Sequence, residues 1–273
     1  MRFLFLGDVV GKPGRSVVSR MLPSLIERWK LDFVVVNGEN ATHGFGISED
    51  HLAGLFDAGA DCVTLGNHAF DQKEALVYIA RQPRLVRPVN LPKGTPGRGG
   101  ALLKAKNGAD VLVLNALGRV FMLEMDCPFR ALDAEVTACK LKQGADAIFV
   151  DFHAEATSEK QALGHFLDGR ISGLVGTHTH TPTADHRVLP GGTAYMTDGG
   201  MCGCYDGIIG MDAEEPVQRF LTRIPKERFK PAEGPGTLSG LAIEISDTTG
   251  LATAAHAVRI GPGLAPAEPV FQG

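Results

Sequence analysis

Eight side chains scattered along the sequence have the types and surroundings that phosphate chemistry needs. They are Asp8, Glu39, Asn40, Asn67, His68, His153, His178 and His180, and most sit in short glycine-led clusters: Gly7-Asp8, Gly38-Glu39-Asn40, Gly66-Asn67-His68 and Gly176-Thr177-His178-Thr179-His180. The set contains carboxylates, amides and imidazoles but no thiolate. Mixed nitrogen and oxygen donors suit Mn, Fe or Zn in a catalytic role, whereas Ca and Mg prefer shells of oxygen alone. The missing thiolate also speaks against a structural zinc knuckle. Asp8, Glu39, Asn40, Asn67, His153, His178 and His180 are too many donors for one ion with an open position. They suit two ions with one carboxylate between them. Two ions roughly 3.5–4 Å apart activate a water and brace phosphoryl oxygens during in-line displacement.

Taken singly, each residue has a plainer explanation. Asp8 fits a turn or helix cap, Glu39-Asn40 an ordinary turn, Asn67 an Asx turn, and a lone His153 a satisfied interior histidine. His178 and His180 say more, because alternate residues on a strand point the same way. The stronger signal is where the clusters fall. Phe3 to Leu6 reads as a buried strand ending at Gly7-Asp8. Pro13 opens a helix carrying Val17, Val18, Met21, Leu22, Leu25, Ile26 and Trp29 at helical spacing. Asp32 to Asn37 is a second strand, and Ser48 caps a helix bearing Leu52, Leu55 and Phe56. Asp61 to Leu65 is a third strand, with a helix expected over 71–80. Asn107-Gly108 between apolar runs over 101–106 and 111–115 predicts a hairpin. Helix spacing returns over 131–142 and near 160–167, bracketing a strand from Ala147 to Phe152 that ends at His153; Ile171 to Val175 leads to His178 and His180. The rest reads as β structure, at 193–196, 238–245 and 251–260, with Thr249-Gly250 as a turn, and a Pro/Gly/Ala-rich tail over 261–273 expected to be loosely ordered. No repeat, low-complexity block or long linker divides the chain, so residues 1–273 read as one domain. Five strand ends thus deliver Asp, Glu, Asn and His to one edge, where open α/β sheets bind ligands.

These motifs, in this order, resemble those of the calcineurin-like metallophosphoesterases. Gly7-Asp8-Val9-Val10-Gly11 and Asn37-Gly38-Glu39-Asn40-Ala41 are similar to the bacterial YmdB-like branch, and the resemblance covers about residues 1–260. It implies an α/β fold: a four-layer β-sandwich core flanked by helices, with the metal site at the C-terminal edge of the strands. It also implies that Asp8, Asn40 and His180 hold one ion, that Asn67, His153 and His178 hold the other, and that Glu39 bridges them. His68 becomes the general acid that protonates the leaving alkoxide. The implied activity is phosphodiester hydrolysis of small cyclic nucleotides, notably 2′,3′-cyclic ones, by a metal-activated water, with Fe or Mn ahead of Zn. A broad phosphomonoesterase and a nucleotide-binding regulator with little turnover are the rival readings. This sequence departs from the broad family in three places: Val10 stands where a His is usual, Glu39 where an Asp is usual, and Ala69 follows the Asn-His pair in place of an acid. Asp71 is then a candidate to orient His68, with N-capping of the following helix as the other reading.

Composition narrows the class further. Formal net charge is -4 and charged residues make up 21% of the chain, so no global basic field favours non-specific nucleic-acid or membrane binding. No apolar run approaches the roughly 20 residues a bilayer requires, and no signal-peptide pattern precedes the first strand. Five cysteines without a dense framework favour reduced thiols and a cytoplasmic setting. Cys202-Gly203-Cys204 reads as a turn rather than a redox pair. Gly7 to Lys12 is not a phosphate-binding P-loop, because the glycine spacing is short and Pro13 follows Lys12. Lys12 and Arg15 read as solvated charges that lie near a helix start, and His43, in the Gly-rich 42–46 loop, is a weak site candidate. A homo-oligomer is left open.

Overall fold

The structure, a computed structural model, describes residues 1–271. Elements are numbered in chain order. The apolar runs form two six-stranded sheets. The first contains β1 (Arg2–Leu6), β3 (Phe33–Asn37), β4 (Cys62–Thr64), β5 (Leu85–Val86), β13 (Leu238–Ile245) and β14 (Ala252–Ile260), in the order β14-β13-β1-β3-β4-β5. The second contains β6 (Gly100–Lys104), β7 (Asp110–Leu117), β8 (Ala147–His153), β9 (Gly173–Thr177), β10 (Arg187–Val188) and β11 (Ala194–Met196), in the order β10-β11-β9-β8-β7-β6. A short parallel pairing joins β2 (Asp8–Val9) to β12 (Met201–Cys202).

Both faces of each sheet are covered, and strand alternation decides which side chain goes where. Phe3 and Phe5 point into the space between the sheets, where they meet Phe149 of β8 at ring-centroid distances of 4.7 and 5.1 Å. Leu4 and Leu6 point the other way, onto α1 (Gly11–Trp29) with Val17, Val18 and Leu22, and share that layer with α2 (Glu49–Asp57). On the far side, Leu114, Ile148, Val150 and Leu174 pack under α4 (Pro128–Ala138) and α5 (Thr157–Leu167). The result is the expected four layers: helices, sheet, sheet, helices. Burying one such Phe or Leu contributes about 1.5–3 kcal/mol. The interface around Phe149 therefore holds the two sheets in one register, and with them the two halves of the site.

Local differences from the sequence reading have physical causes. The helix expected over 71–80 shrinks to α3 (Ala75–Tyr78) and a 3₁₀ turn, Ile79–Arg81. The preceding residues turn instead: Asp71 N–H donates to His68 O and Gln72 Nε2 donates to Phe45 O. The helix expected over 131–142 begins at Pro128, where proline suits the first turn, and stops before the tight turn that closes on Lys140 O. An unforeseen helix, α6 (Glu214–Thr222), follows β12. The tail expectation falls partly on residues 272 and 273, outside the described residues. Over 261–271, Arg259 and Ala267 exchange backbone bonds, Glu268 meets Arg28 at 2.6 Å, and the Phe271 ring lies against Trp29. Among the described residues no helix is long and apolar enough to cross a membrane.

Candidate metal centre

In the first sheet β1, β3 and β4 run parallel; in the second β8 and β9 do. Their C-terminal ends therefore open on the same edge. Asp8 follows β1, Glu39 and Asn40 follow β3, and Asn67 and His68 follow β4. His153 ends β8, and His178 and His180 follow β9. Asp8, Glu39, Asn40, His153 and His180 are buried.

His153 Nε2 is the centre of the arrangement. Glu39 Oε1 lies 3.0 Å from it, Asn67 Oδ1 2.9 Å and His178 Nδ1 3.0 Å. These are lone-pair atoms converging on one point, and a single proton on His153 can serve only one of them. Asp8 Oδ1 and Asn40 Oδ1 are buried with no hydrogen-bond partner, a costly state unless something else satisfies them. Glu39, His153 and His178 offer ligand atoms within 4.8 Å of one another, and so do Asp8, Glu39 and His180; Glu39 is common to both groups. The donors thus fit cations, in two adjoining sets.

The charge balance agrees. Burial raises the Asp8 carboxyl despite the pull of His180 and His153. Burial would also raise Glu39, but His153 and His68 outweigh it and draw Glu39 down to about 2. Burial would lower His153, and the carboxylates of Glu39, Asp8 and Asp151 overcome it and lift the imidazole to about 9. Burial and the neighbouring His153 push His178 down to about 3, the neutral form that binds metals. The buried carboxylates draw positive charge into the site.

Each imidazole is held by its other nitrogen, the arrangement expected of metal-binding histidines. His153 Nδ1 donates to Thr177 Oγ1 at 2.9 Å, since that hydroxyl itself donates to Asp151 Oδ1 at 2.7 Å. Asp151 Oδ2 accepts from Asn37 Nδ2 and Thr64 Oγ1. His178 Nε2 faces Glu155 at 3.3 Å, and His180 Nδ1 donates to Ile209 O at 2.7 Å. His178 and His180 adopt φ of 98° and 63°, unusual for residues with a side chain. Between them Thr179 donates from N and Oγ1 to Asp198, which pairs with buried Lys160 at 2.7 Å. Gly66 is required by close approach: a Cβ there would stand 2.2 Å from Glu39 Oε2 and 2.5 Å from the His153 ring.

His68 stands beside the donor cluster. Its backbone N–H donates to Glu39 Oε2, its Nδ1 meets Asp71 Oδ2 at 2.8 Å, and Phe45 packs edge-on against the ring at 5.2 Å. Of the two readings for Asp71, the structure takes the first: it orients His68, and α3 begins after Glu74. His68 lines a cavity of about 660 Å³ with Glu39, Asn40, His178 and His180. Gly44 and Phe45 of the 42–46 loop reach that cavity; His43 does not, and instead lines a separate basic cavity with Lys12, Arg15 and Arg20. Arg15 Nη1 donates to Ala41 O. Cys202 and Cys204 are free buried thiols, and burial pushes Cys202 up to about 12.

Sequence reasoning missed Asp151, Thr177, Glu155 and Asp198. Asp151 carried a usable signal, since it lies two residues before His153 on one buried strand and shares its face. Glu155 and Asp198 lie between the regular elements, with no such marker.

The model of the YmdB-like protein family matches residues 4–258. The chain belongs to the YmdB-like family. It is 52% identical over 249 residues to the 2′,3′-cyclic-nucleotide 2′-phosphodiesterase of Bacillus subtilis strain 168, covering 91% of this chain and 93% of that protein. Among solved structures, a hypothetical protein from Thermus thermophilus superposes with a TM-score of 0.88 at 42% identity, covering 98% of this chain and 100% of that one. A novel phosphatase from Mycoplasma pneumoniae superposes with a TM-score of 0.87 at 36% identity, covering 95% and 93%.

Proposed function

We propose that this YmdB-like chain is a dinuclear metal-dependent phosphodiesterase that opens 2′,3′-cyclic nucleotides at the 2′ ester and releases 3′-nucleotides. The observation that carries the reading is the two donor groups sharing Glu39, beside a cavity whose wall includes His68. The activity named for the Bacillus subtilis relative supports the choice of ester. Asp8, Asn40 and His180 are assigned to one ion, Asn67, His153 and His178 to the other, and Glu39 to both. The thiolate-free donor set suits iron, manganese or zinc, and the family resemblance puts iron or manganese ahead of zinc. Two cations held there would lower the pKa of an attacking water and neutralise charge on the phosphoryl oxygens.

The protein's own residues do the rest. His68 Nδ1–H donates to Asp71 Oδ2, and in the imidazolium form Nε2 carries the second proton, the one it can transfer. In-line attack joins the water oxygen to phosphorus and breaks the bond to O2′. Nε2 of His68 donates its proton to O2′, the water's proton passes to solvent, and His68 is reprotonated from solvent. A general acid placed this way contributes about 10²–10⁴-fold. We assign this chemistry to one domain spanning the chain, working in the cytoplasm, where free cysteines such as Cys62 and Cys204 stay reduced.

The test is product analysis with adenosine 2′,3′-cyclic phosphate. The expected product is 3′-AMP, itself left intact. Release of 2′-AMP would overturn the assigned ester. Steady liberation of phosphate from 3′-AMP would favour a phosphomonoesterase; the Mycoplasma pneumoniae structure is described as a novel phosphatase. A fully metallated protein inert on every nucleotide would favour a regulatory binding role.

A further inference from the structure

Besides the metal-binding residues, the 660 Å³ cavity is lined by Phe45, Ile208, Ile209, Met211, Phe220 and Phe229. Two of these are exposed in a way packing does not explain: Phe220 by 85% and Ile209 by 53%. Ile209 is also held at φ 46°, a conformation that a β-branched residue adopts only under constraint. That constraint ties the wall to the metal centre, because Ile209 O is the acceptor for His180 Nδ1. The wall's cation, Arg219, is already engaged: it bonds Glu215 Oε1 at 2.6 Å and lies 3.9 Å over the Phe229 ring. The separate basic cavity, with Lys12, Arg15 and Arg20, has the cations but none of the clustered donors. A ligand with its phosphate at the donor cluster would therefore project an uncharged, flat, apolar group onto this wall.

We infer that Phe220 and Ile209, flanked by the Phe229 ring that Arg219 caps, form a stacking platform for the nucleobase of the substrate. The inference rests on the phosphodiesterase reading and deepens it. Stacking on aromatic rings tolerates any base, because every base offers a π-face. Apart from Arg219, the wall's named side chains are hydrocarbon or thioether and carry no group to read a base edge. The platform thus accepts all four bases and favours purines through their larger face. Phe220 lies on α6, so that helix would contribute the platform.

The test compares adenosine 2′,3′-cyclic phosphate with its base-free analogue, ribose 2,3-cyclic phosphate, in the wild type and in Phe220→Ala. Phe220 is exposed enough for the substitution to leave the core untouched. In the wild type the base-free substrate should have a KM roughly 10–100-fold higher, the range that base–aromatic stacking gives. In Phe220→Ala that ratio should fall several-fold towards one. A wild-type ratio near one, or a ratio preserved in Phe220→Ala, overturns the platform. Calorimetric binding of 3′-AMP against ribose 3-phosphate gives the same comparison without turnover. If neither cyclic substrate is hydrolysed but 3′-AMP binds more tightly and Phe220→Ala erases the difference, the platform stands and the proposed reaction falls. Equal binding of the two monoesters removes the platform whatever the activity.

Discussion

Removing the Lys160 ammonium as Lys160→Met should loosen the histidine loop before it disturbs anything else. Lys160 and Asp198 are each about 1% exposed and paired at 2.7 Å. The same carboxylate receives Thr179 N–H at 3.2 Å and Thr179 Oγ1 at 2.8 Å, and its other oxygen receives Gly200 N–H at 2.8 Å. Thr179 lies between His178 and His180, whose positive φ values each cost on the order of 1–3 kcal/mol. Asp198 is thus the strut that offsets the strain. With the ammonium gone, a buried carboxylate keeps only neutral donors. Breaking one side of a buried pair costs about 3–5 kcal/mol. At about 2 °C per kcal/mol for a chain of this size, Tm should drop by about 6–10 °C. Melting should be followed by circular dichroism on chelator-stripped protein, so that metal binding does not mask the loss. Metal affinity, read by chelator competition, should weaken in parallel. Lys160→Met/Asp198→Asn should recover part of the loss, since no unpaired charge remains. A Tm change under about 2 °C, or a double variant as unstable as the sum of its singles, would refute the strut.

The remaining expectations concern the site and its supports. His68→Ala should keep its full metal content by elemental analysis and lose about 10²–10⁴-fold in kcat on substrates with poor leaving groups; loss of metal instead would make His68 a ligand. Gly66→Ala should lower metal occupancy sharply, because its Cβ would meet Glu39 Oε2 and His153; unchanged occupancy would contradict the packed geometry. Phe149→Ala should cost about 3–5 kcal/mol in denaturant unfolding by emptying the space between the sheets. Burial raises the Asp185 carboxyl, but bonds from Thr183 and Thr197 outweigh it and lower the net value. Asp185 therefore adds stability above its unfolded value near pH 4, and this is lost as pH falls through the folded one. Asp185→Asn should flatten the acid side of the stability curve, and an unaltered acid slope would count against those bonds.

The strand ends were legible because two separate patterns coincide there. Apolar runs such as Phe3 to Leu6 mark a strand, and the Gly7-Asp8 that follows has no apolar role to play. Within the four layers, burial of both strand faces explains why these runs are continuous rather than alternating. The helix over 71–80 was misread because Asp71 bonds back to His68 in a local turn and Gln72 bonds to Phe45, a contact made across the fold. α6 was overlooked although Val217, Phe220, Leu221 and Ile224 recur at i, i+3, i+4 and i+7, the spacing of an amphipathic helix; in the fold that stripe stays mostly exposed. The supports of the imidazoles were hidden for a similar reason. Glu155 and Asp198 acquire their meaning from partners such as His178 and Lys160, and only Asp151 shares a strand face with the residue it serves.

Elemental analysis of freshly purified protein beside Glu39→Ala tests the centre of the account most directly. Two donor groups that share Glu39 predict about two metal ions per chain in the wild type and a fall at both positions when that carboxylate is removed. A stoichiometry untouched by Glu39→Ala, or one that never exceeds a single ion per chain, would contradict it.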